Sequence, residues 1–584
     1  MAGNVVRPMK RVRITASATS ALPRSLLFAI CVIYVLAGLF GRDPWKNEDA
    51  AGFGIMWTMA HGQLSDWLLP NIAGKPIYDA GPLVSWLGAL AIRTFSWLDA
   101  PDAARIVTGL CFYATCTFIW YGTYLLGRRP EVQPFKYAFG GEPEPRDYGR
   151  TLADGALLIL LACFGLAERG HETTATVGQL TLISMAIYGL VRSLDKPRQG
   201  AVWFGLALGG MALASSPLMT LSLWIAGIAV GVLCRAVPLR MLLVVSTPVA
   251  LIIACAWPLA ALKFADGARS WLGEWADIGV DAFSGPSINS LSYITKNLAL
   301  FAWPAWPLAA WSLYSWRGMR RAPHIAIPLA LAVPVLVLIV LQAHQGNQLF
   351  MLALPALSII AAFGLPSLKR GTVNAIDWFA VLSFTVLAGF VWIVWLAGVF
   401  GFPAQIARNL RRLVPGFVPE FSWVTLISAL AVTGAWVTLV AWRVSRSPKV
   451  MWRSVVLSSG GTTLMWVLLM TLWLPVVNYG RTYRDVAAQI SAHLPADYTC
   501  IRTVRVGDAQ LASFAYFGKM RFGSSNDDCD VLLRQDSQDY SEPLSLAPYE
   551  WRQLWEGRRA ADRDERFRLY VLQERPWRRS ARPR

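Results

Sequence analysis

GRDPWKNEDAAGFG, residues 41–54, places five charges (Arg42, Asp43, Lys46, Glu48 and Asp49) directly after LLFAICVIYVLAGLF, residues 26–40, the first long apolar run of the chain. Such a junction marks the end of a membrane span and the start of a loop in water. From Asp49 onward, Phe53, Met56, Trp57 and Ala60 recur at helical spacing, which predicts an amphipathic helix lying on the membrane surface. Its carboxylates stand at the N-terminus, where the helix dipole favours them and where Asn47 or Glu48 can cap the first turn. A structural role alone would account for the acids.

The rest of the chain supports the membrane reading. Of its 584 residues 55% are hydrophobic and 15% charged, 27 are tryptophan, and mean hydropathy is +0.43. From Ala201 to Leu262 the only charges are Arg235 and Arg240, a stretch that lipid or other spans must cover. The net charge of +18 is spread over short loops between apolar runs, which excludes a compact nucleic-acid-binding surface and fits loop topology. The basic N-terminus and first run lack a small-residue cleavage site, so they read as a retained span.

The length rule gives about 13 spans, centred near residues 33, 115, 160, 183, 208, 226, 250, 306, 333, 357, 387, 432 and 466. PLVSWLGALAIRTFSWL, from Pro82, is short, contains Arg93 and is expected to lie along the interface. The predicted inner loops are then nearly all basic, for example Arg128 and Arg129, Arg320 and Arg321, and Lys369 and Arg370. QIARNLRRLVPGFVPE, residues 405–420, breaks the pattern by placing Arg408, Arg411 and Arg412 outside.

The expected fold is a polytopic α-helical membrane protein, residues 1–478, with a first outer loop at about 42–104 and a small C-terminal soluble α/β domain, residues 479–584, beyond the cytoplasm. In that tail RTYRDVAAQISAHL reads as a helix, and CIRTVRV, FAYFGKMRF and CDVLLRQ read as strands. Six of the eight cysteines lie in apolar segments; Cys500 and Cys529 lie in polar sequence, where a disulfide or two free thiols are both compatible with the spacing.

Candidate functional groups gather in the outer loops. Tyr78 and Asp79 follow SDWLLPNIAGKP, Arg105 opens the next span, and the hairpin AERGHETTATVGQL carries Glu168, Arg169, His171 and Glu172. For His171 a hydrogen-bonded interfacial histidine competes with a functional one.

NEDAAGFGIMWTMAHGQLSDWLLPNIAGKPIYDAGPLVSWLGALAIRTF followed by AARIVTGL resembles the N-terminal signature of the bacterial glycosyltransferase 39 group, GT-C membrane enzymes that include the aminoarabinose lipid A transferase and the protein O-mannosyltransferases. The resemblance is specific over roughly the first 110 residues. Glu48 and Asp49 match the family's acidic pair in reversed order, Asp66 and Trp67 its DW element, Tyr78 and Asp79 its aromatic and acid, and Arg105 its span-opening arginine. Ala80 stands where the family has a phosphate-binding lysine, and Ser215, Ser216 and Pro217 stand where it has KGP. Arg105, Arg269 and Lys296 are the replacement cations to test, with Lys46 and Lys75 as further candidates.

The resemblance implies a GT-C-like fold and inverting transfer from a polyprenyl-phosphate sugar to lipid A, a glycan or a protein, on the periplasmic side of a bacterial inner membrane. That reaction needs a carboxylate to take the acceptor's proton and cations to stabilise the departing phosphate. Glu48 or Asp49 is the expected base, the reversed order leaving the choice open. Asp79, His171 and Glu172 are candidates for orienting the acceptor or holding a divalent metal, although no cofactor is called for. The competing class is a transporter or lipid flippase, but the chain has no internal repeat and its polar groups sit in loops, not at mid-span. A scaffold using its tail to bind an envelope partner is a further alternative.

Overall fold

The computed structural model describes residues 14–20, 22–283, 288–342, 348–445, 451–523, 527–537, 551–562 and 564–573. Each of the thirteen expected span centres falls on a helix. Among the described residues seven helices are individually long and apolar enough to cross a membrane, and an eighth candidate is the pair Val455–Thr471 and Leu474–Arg481, bent by 68°. Pro475, which cannot donate a backbone hydrogen bond, opens the second half of that pair. The helix Trp423–Ser445 exposes Val424, Ile427, Leu430, Val437 and Val444, an apolar face that only lipid can cover in a multi-pass protein. The Pro82 run forms a separate helix, Leu83–Thr94, too short to count among the spans.

The helix predicted after the charged stretch spans Glu48–His61 and buries Phe53, Met56 and Ala60 as its spacing requires. Its N-cap, Asn47, makes no side-chain cap bond and adopts a φ of 72°, a conformation that asparagine tolerates better than most residues. Backbone approach explains two glycines in this helix. A Cβ on Gly52 would lie 2.0 Å from the Thr173 carbonyl oxygen, and one on Gly54 would lie 2.3 Å from the Ala512 Cβ. The surface helix is therefore wedged between a hairpin of the membrane domain and a helix of the tail.

The tail contains helix Arg484–His493 and a four-stranded sheet in the order Ile501–Val504, Val531–Ser537, Glu565–Leu572, Trp551–Gly557. The first pair is parallel and the other two are antiparallel. The strand expected at FAYFGKMRF is corrected. Its first four residues, Phe514 to Phe517, end helix Asp508–Phe517, and only Phe522 keeps a strand-like bridge, to Ile501. Its short apolar run was the end of the helical pattern DAQLASFAYF, whose Ala509, Leu511, Ala512 and Phe514 are buried together. Cys500 and Cys529 are joined by a disulfide. Ile72 and Ile77 of the loop that follows the first span sit in the tail's own apolar core, so loop and tail share one packed unit.

Candidate active site

The five opening charges separate into three different tasks. Asp49 is fully buried and takes five hydrogen bonds. Its Oδ1 accepts from the Thr173 amide at 2.7 Å and the Thr173 hydroxyl at 2.6 Å. Its Oδ2 accepts from Arg42 Nη1 at 2.8 Å, the Trp45 amide at 3.0 Å and Arg105 Nη2 at 3.4 Å. Burial alone would raise its pKa, but Arg42, Arg105, Thr173 and Trp45 together hold the carboxyl well below the usual range. With both oxygens saturated, Asp49 is a permanently ionised clamp.

Both arginines of the clamp are committed elsewhere as well. Arg42 donates to the carbonyls of Gly38 and His171, each at 2.8 Å, and lies over the Trp45 ring. Arg105 donates to the carbonyls of Arg42 at 2.6 Å and Asp43 at 3.0 Å. The structure thus places Arg105 inside a folded loop, with no solvent exposure, and not at an open phosphate site. The physical reason is hydrogen-bond demand: Arg105 supplies donors to loop carbonyls that would otherwise be buried without them, and its charge is met by Asp49 and Asp102, each at 3.4 Å.

Asp43 and Lys46 face the tail. Arg484 forms an ion pair with Asp43, which also accepts from the Thr482 hydroxyl at 2.8 Å, and Lys46 reaches Asp562 at 3.4 Å. Lys75 pairs with Asp508 at 2.7 Å. Lys46 and Lys75 are therefore docking residues between loop and tail.

Glu48 remains, with its side chain about one-third exposed. The Gln348 amide donates to it, and Arg169 Nη1 stands 3.9 Å away. Desolvation raises its pKa; Arg169 and Gln348 oppose the shift, and the nearby Asp79 carboxylate adds to it. Asp79 is itself raised, by desolvation and then by Asp508, against Lys75. Tyr78 is half-buried, its ring 5.4 Å from that of Trp271.

Arg169 also holds the buried Glu172 at 3.0 and 3.2 Å. Burial pushes the Glu172 carboxyl up to about 8 despite that arginine. Glu48, Asp79, Arg169, Glu172 and Gln348 thus form a connected group at the end of the surface helix. Adjacent carboxyls 48 and 49 differ because the helix turns one into a saturated pocket and the other toward open space.

His171 does not join this group. Its ring nitrogens lie 2.6 Å from the Ala167 carbonyl and 2.8 Å from the Tyr34 carbonyl, its ring packs against Tyr34, Phe112 and Trp466, and burial lowers its pKa to about 4. It is a core histidine. Arg269 and Lys296 are exposed on helices Ala268–Asp281 and Ile288–Phe301, and neither has an acidic partner among the described residues. Among the described residues no group of three His, Cys, Asp or Glu side chains is arranged to hold a metal ion.

Sequence reasoning missed the parts played by Arg42, Thr173, Arg169 and Gln348. Arg169 and Thr173 lay in a hairpin already singled out; Gln348 had only its position at the head of an apolar run.

The overall fold has a precedent among solved structures. ArnT from Cupriavidus metallidurans, crystallised bound to undecaprenyl phosphate, superposes with a TM-score of 0.64 at 14% identity over 94% of this chain and 97% of that one. The chain has a GT-C fold. The apo form of ArnT gives a TM-score of 0.60 at 16% identity over the same shares of the two chains. No family model matches the chain, and no curated protein sequence does. The GT-C fold is thus legible in three dimensions at an identity where sequence comparison is silent.

Proposed function

We propose that the chain is a membrane glycosyltransferase that moves a sugar from a polyprenyl-phosphate donor to a hydroxyl of a lipid, glycan or protein acceptor, with lipid A the acceptor class its resemblance favours. The observation that carries this reading is the division of labour between adjacent acids: Asp49 is locked by five donors, while Glu48 is one-third exposed beside Arg169, Gln348 and Asp79. A carboxylate with a raised pKa is suited to accept a proton, and a cation beside it to stabilise a leaving phosphate. ArnT's capture of undecaprenyl phosphate supports a polyprenyl-phosphate donor for a chain of the same fold.

In this mechanism Glu48 takes the acceptor hydroxyl's proton as that oxygen attacks the anomeric carbon. The bond from that carbon to the phosphate oxygen breaks, with inversion, and the electron pair leaves on the phosphate. Arg169 is the nearest cation; because Glu172 favours its protonated form, little of the arginine's charge is cancelled there. Arg269 and Lys296 are exposed cations available to the lipid phosphate, and Asp79 and Tyr78 orient the acceptor. The Cys500–Cys529 disulfide supports an oxidising location for the tail, the periplasm of a bacterium, with the spans in its inner membrane.

The test incubates purified protein with radiolabelled polyprenyl-phosphate sugars and membrane extract. Wild-type protein transfers label to the extract, and Glu48→Gln lowers the rate by ~10² to 10⁴. Undiminished transfer by Glu48→Gln removes Glu48 as the base, and absence of transfer from every donor by the wild type defeats the reading as a whole.

A further inference from the structure

Helix Arg24–Leu36 runs toward the charged loop, and helix Ala100–Gly127, which carries Arg105 near its start, runs away from it. Arg24 therefore stands at the end of the bundle opposite the candidate active site, where helix Pro145–Leu161 brings Arg150 and Asp154 beside it. Two cavities lie between these helices. One, of about 410 Å³, is lined by Arg24, Arg150, Asp154, Thr117, Trp120 and Tyr121 among others. The other, of about 260 Å³, is apolar, with Val32, Val35, Leu39, Ile106 and Leu110 in its walls. Cys31, Tyr113 and Cys116 line both, so the two form one groove, charged at one end and apolar at the other.

Phe28, Leu36, Leu110 and Tyr113 along this groove are exposed, which opens it sideways to lipid. From Arg24 to Leu36 the helix rises about 18 Å, close to the depth of one leaflet of a ~30 Å hydrocarbon core. The charged end is not neutralised from within. Asp154 is buried, and both its oxygens are engaged by the protein: Oδ1 accepts from Trp120 Nε1 at 2.8 Å and Oδ2 from the Leu22 amide at 3.3 Å. Arg150 has only a loose surface pair with Asp147, at 3.8 Å. Two guanidiniums against one carboxylate leave the lining with one positive charge in excess.

A cationic mouth leading into an apolar length of one leaflet matches one kind of occupant. We propose that the groove binds an anionic glycerophospholipid of the leaflet opposite the candidate active site, its phosphate at Arg24 and Arg150 and one acyl chain along Cys31, Val35 and Leu110. Guanidinium N–H groups meet phosphate oxygens two at a time, and basic pockets between membrane helices are where anionic headgroups bind. Headgroup selection follows from the lining. A choline ammonium would meet the excess positive charge with no free carboxylate in the groove to receive it, whereas a glycerol headgroup adds no cation. The proposal is independent of the sugar-transfer reading, whose residues lie at the other end of these helices.

The experiment uses the full chain in nanodiscs containing phosphatidylglycerol or phosphatidylcholine, each with a photoactivatable acyl chain, at equal mole fraction. Labelling of segments 28–36 and 106–117 is read relative to that of the lipid-covered helix Trp423–Ser445, which corrects for bulk lipid. This ratio is expected to be at least threefold higher with phosphatidylglycerol. Arg24→Ala/Arg150→Ala removes that preference, and Arg24→Lys/Arg150→Lys retains it. Val32→Trp, which fills the apolar part of the groove, lowers labelling of the two segments by either lipid. Excess unlabelled polyprenyl phosphate leaves the labelling unchanged. Equal ratios for the two lipids, a preference that survives loss of both arginines, or displacement by polyprenyl phosphate overturns the proposal. If the alanine variant is not monodisperse, the lysine and Val32→Trp variants decide: a preference lost in the former or labelling unchanged in the latter overturns it.

Discussion

Arg42 and Asp49, seven residues apart, meet at 2.8 Å with both side chains out of solvent. This pair turns the chain back on itself at the membrane exit and fixes the start of the surface helix, so that the next acid, Glu48, stands outside the pocket. Arg105 completes the arrangement from the mouth of the second span. The clamp and the proposed base are thus adjacent in sequence and opposite in environment.

Asp49→Asn is expected to destabilise the protein by about 3–5 kcal/mol, because Arg42 would remain buried without its counter-charge and Arg105 would keep only Asp102, at 3.4 Å. Glu48→Gln, at a one-third-exposed position, should change stability by less than ~1 kcal/mol while abolishing most transfer. Thermal unfolding in detergent, read beside the transfer assay, separates the two. Equal stability losses in the two variants would erase the distinction between clamp and base.

Glu172 gives a pH signature. Its folded-state pKa is raised to about 8 from an ordinary 4.5, so between those values the folded protein holds a proton that the unfolded chain has released. Stability contributed by that proton is complete below about 4.5 and is lost as pH rises through about 8. Glu172→Gln should flatten this fall. A series of Tm values from pH 5 to about 8.5 checks it; parallel wild-type and variant curves would count against it.

Docking of the tail depends on close approach at Gly54. Gly54→Val should separate the surface helix from helix Asp508–Phe517, since even a Cβ there would lie 2.3 Å from the Ala512 Cβ. Limited proteolysis should cut the variant faster after Arg481 and Arg484. Lys75→Ala, which removes a surface ion pair, should cost only ~0–1 kcal/mol and leave the cleavage rate close to that of wild type.

Breaking the disulfide with Cys500→Ser/Cys529→Ser should destabilise the tail by about 2–4 kcal/mol, because the unfolded tail regains the freedom of a 29-residue loop. Hydrogen exchange over strands Ile501–Val504 and Val531–Ser537 should accelerate. The membrane helices share no part of this closed loop, and their exchange should be unchanged.

Apolar run length placed each expected centre on a helix, since a helix in lipid must satisfy its backbone within itself and so leaves a local signal about 20 residues long; among the described residues seven of the helices, eight with the bent pair, are long and apolar enough to cross a membrane. The same logic found the surface helix and the tail's first helix. It failed at FAYFGKMRF, where a few apolar residues fit the end of a helix as well as a strand and only packing against Ile501 and the surface helix separates them. Composition and order along the chain determined that this is a multi-pass membrane protein with charged loops between its apolar runs and a C-terminal α/β tail.

Which charge does what was decided by tertiary structure. Glu48 and Asp49 are nearly the same side chain at neighbouring positions, and nothing local tells them apart. Thr173 and Arg105 saturate one from distant elements, while Gln348, 300 residues away, reaches the other. A pKa is set by the groups within a few ångströms and by access to water, and chain folding, not adjacency in sequence, supplies both.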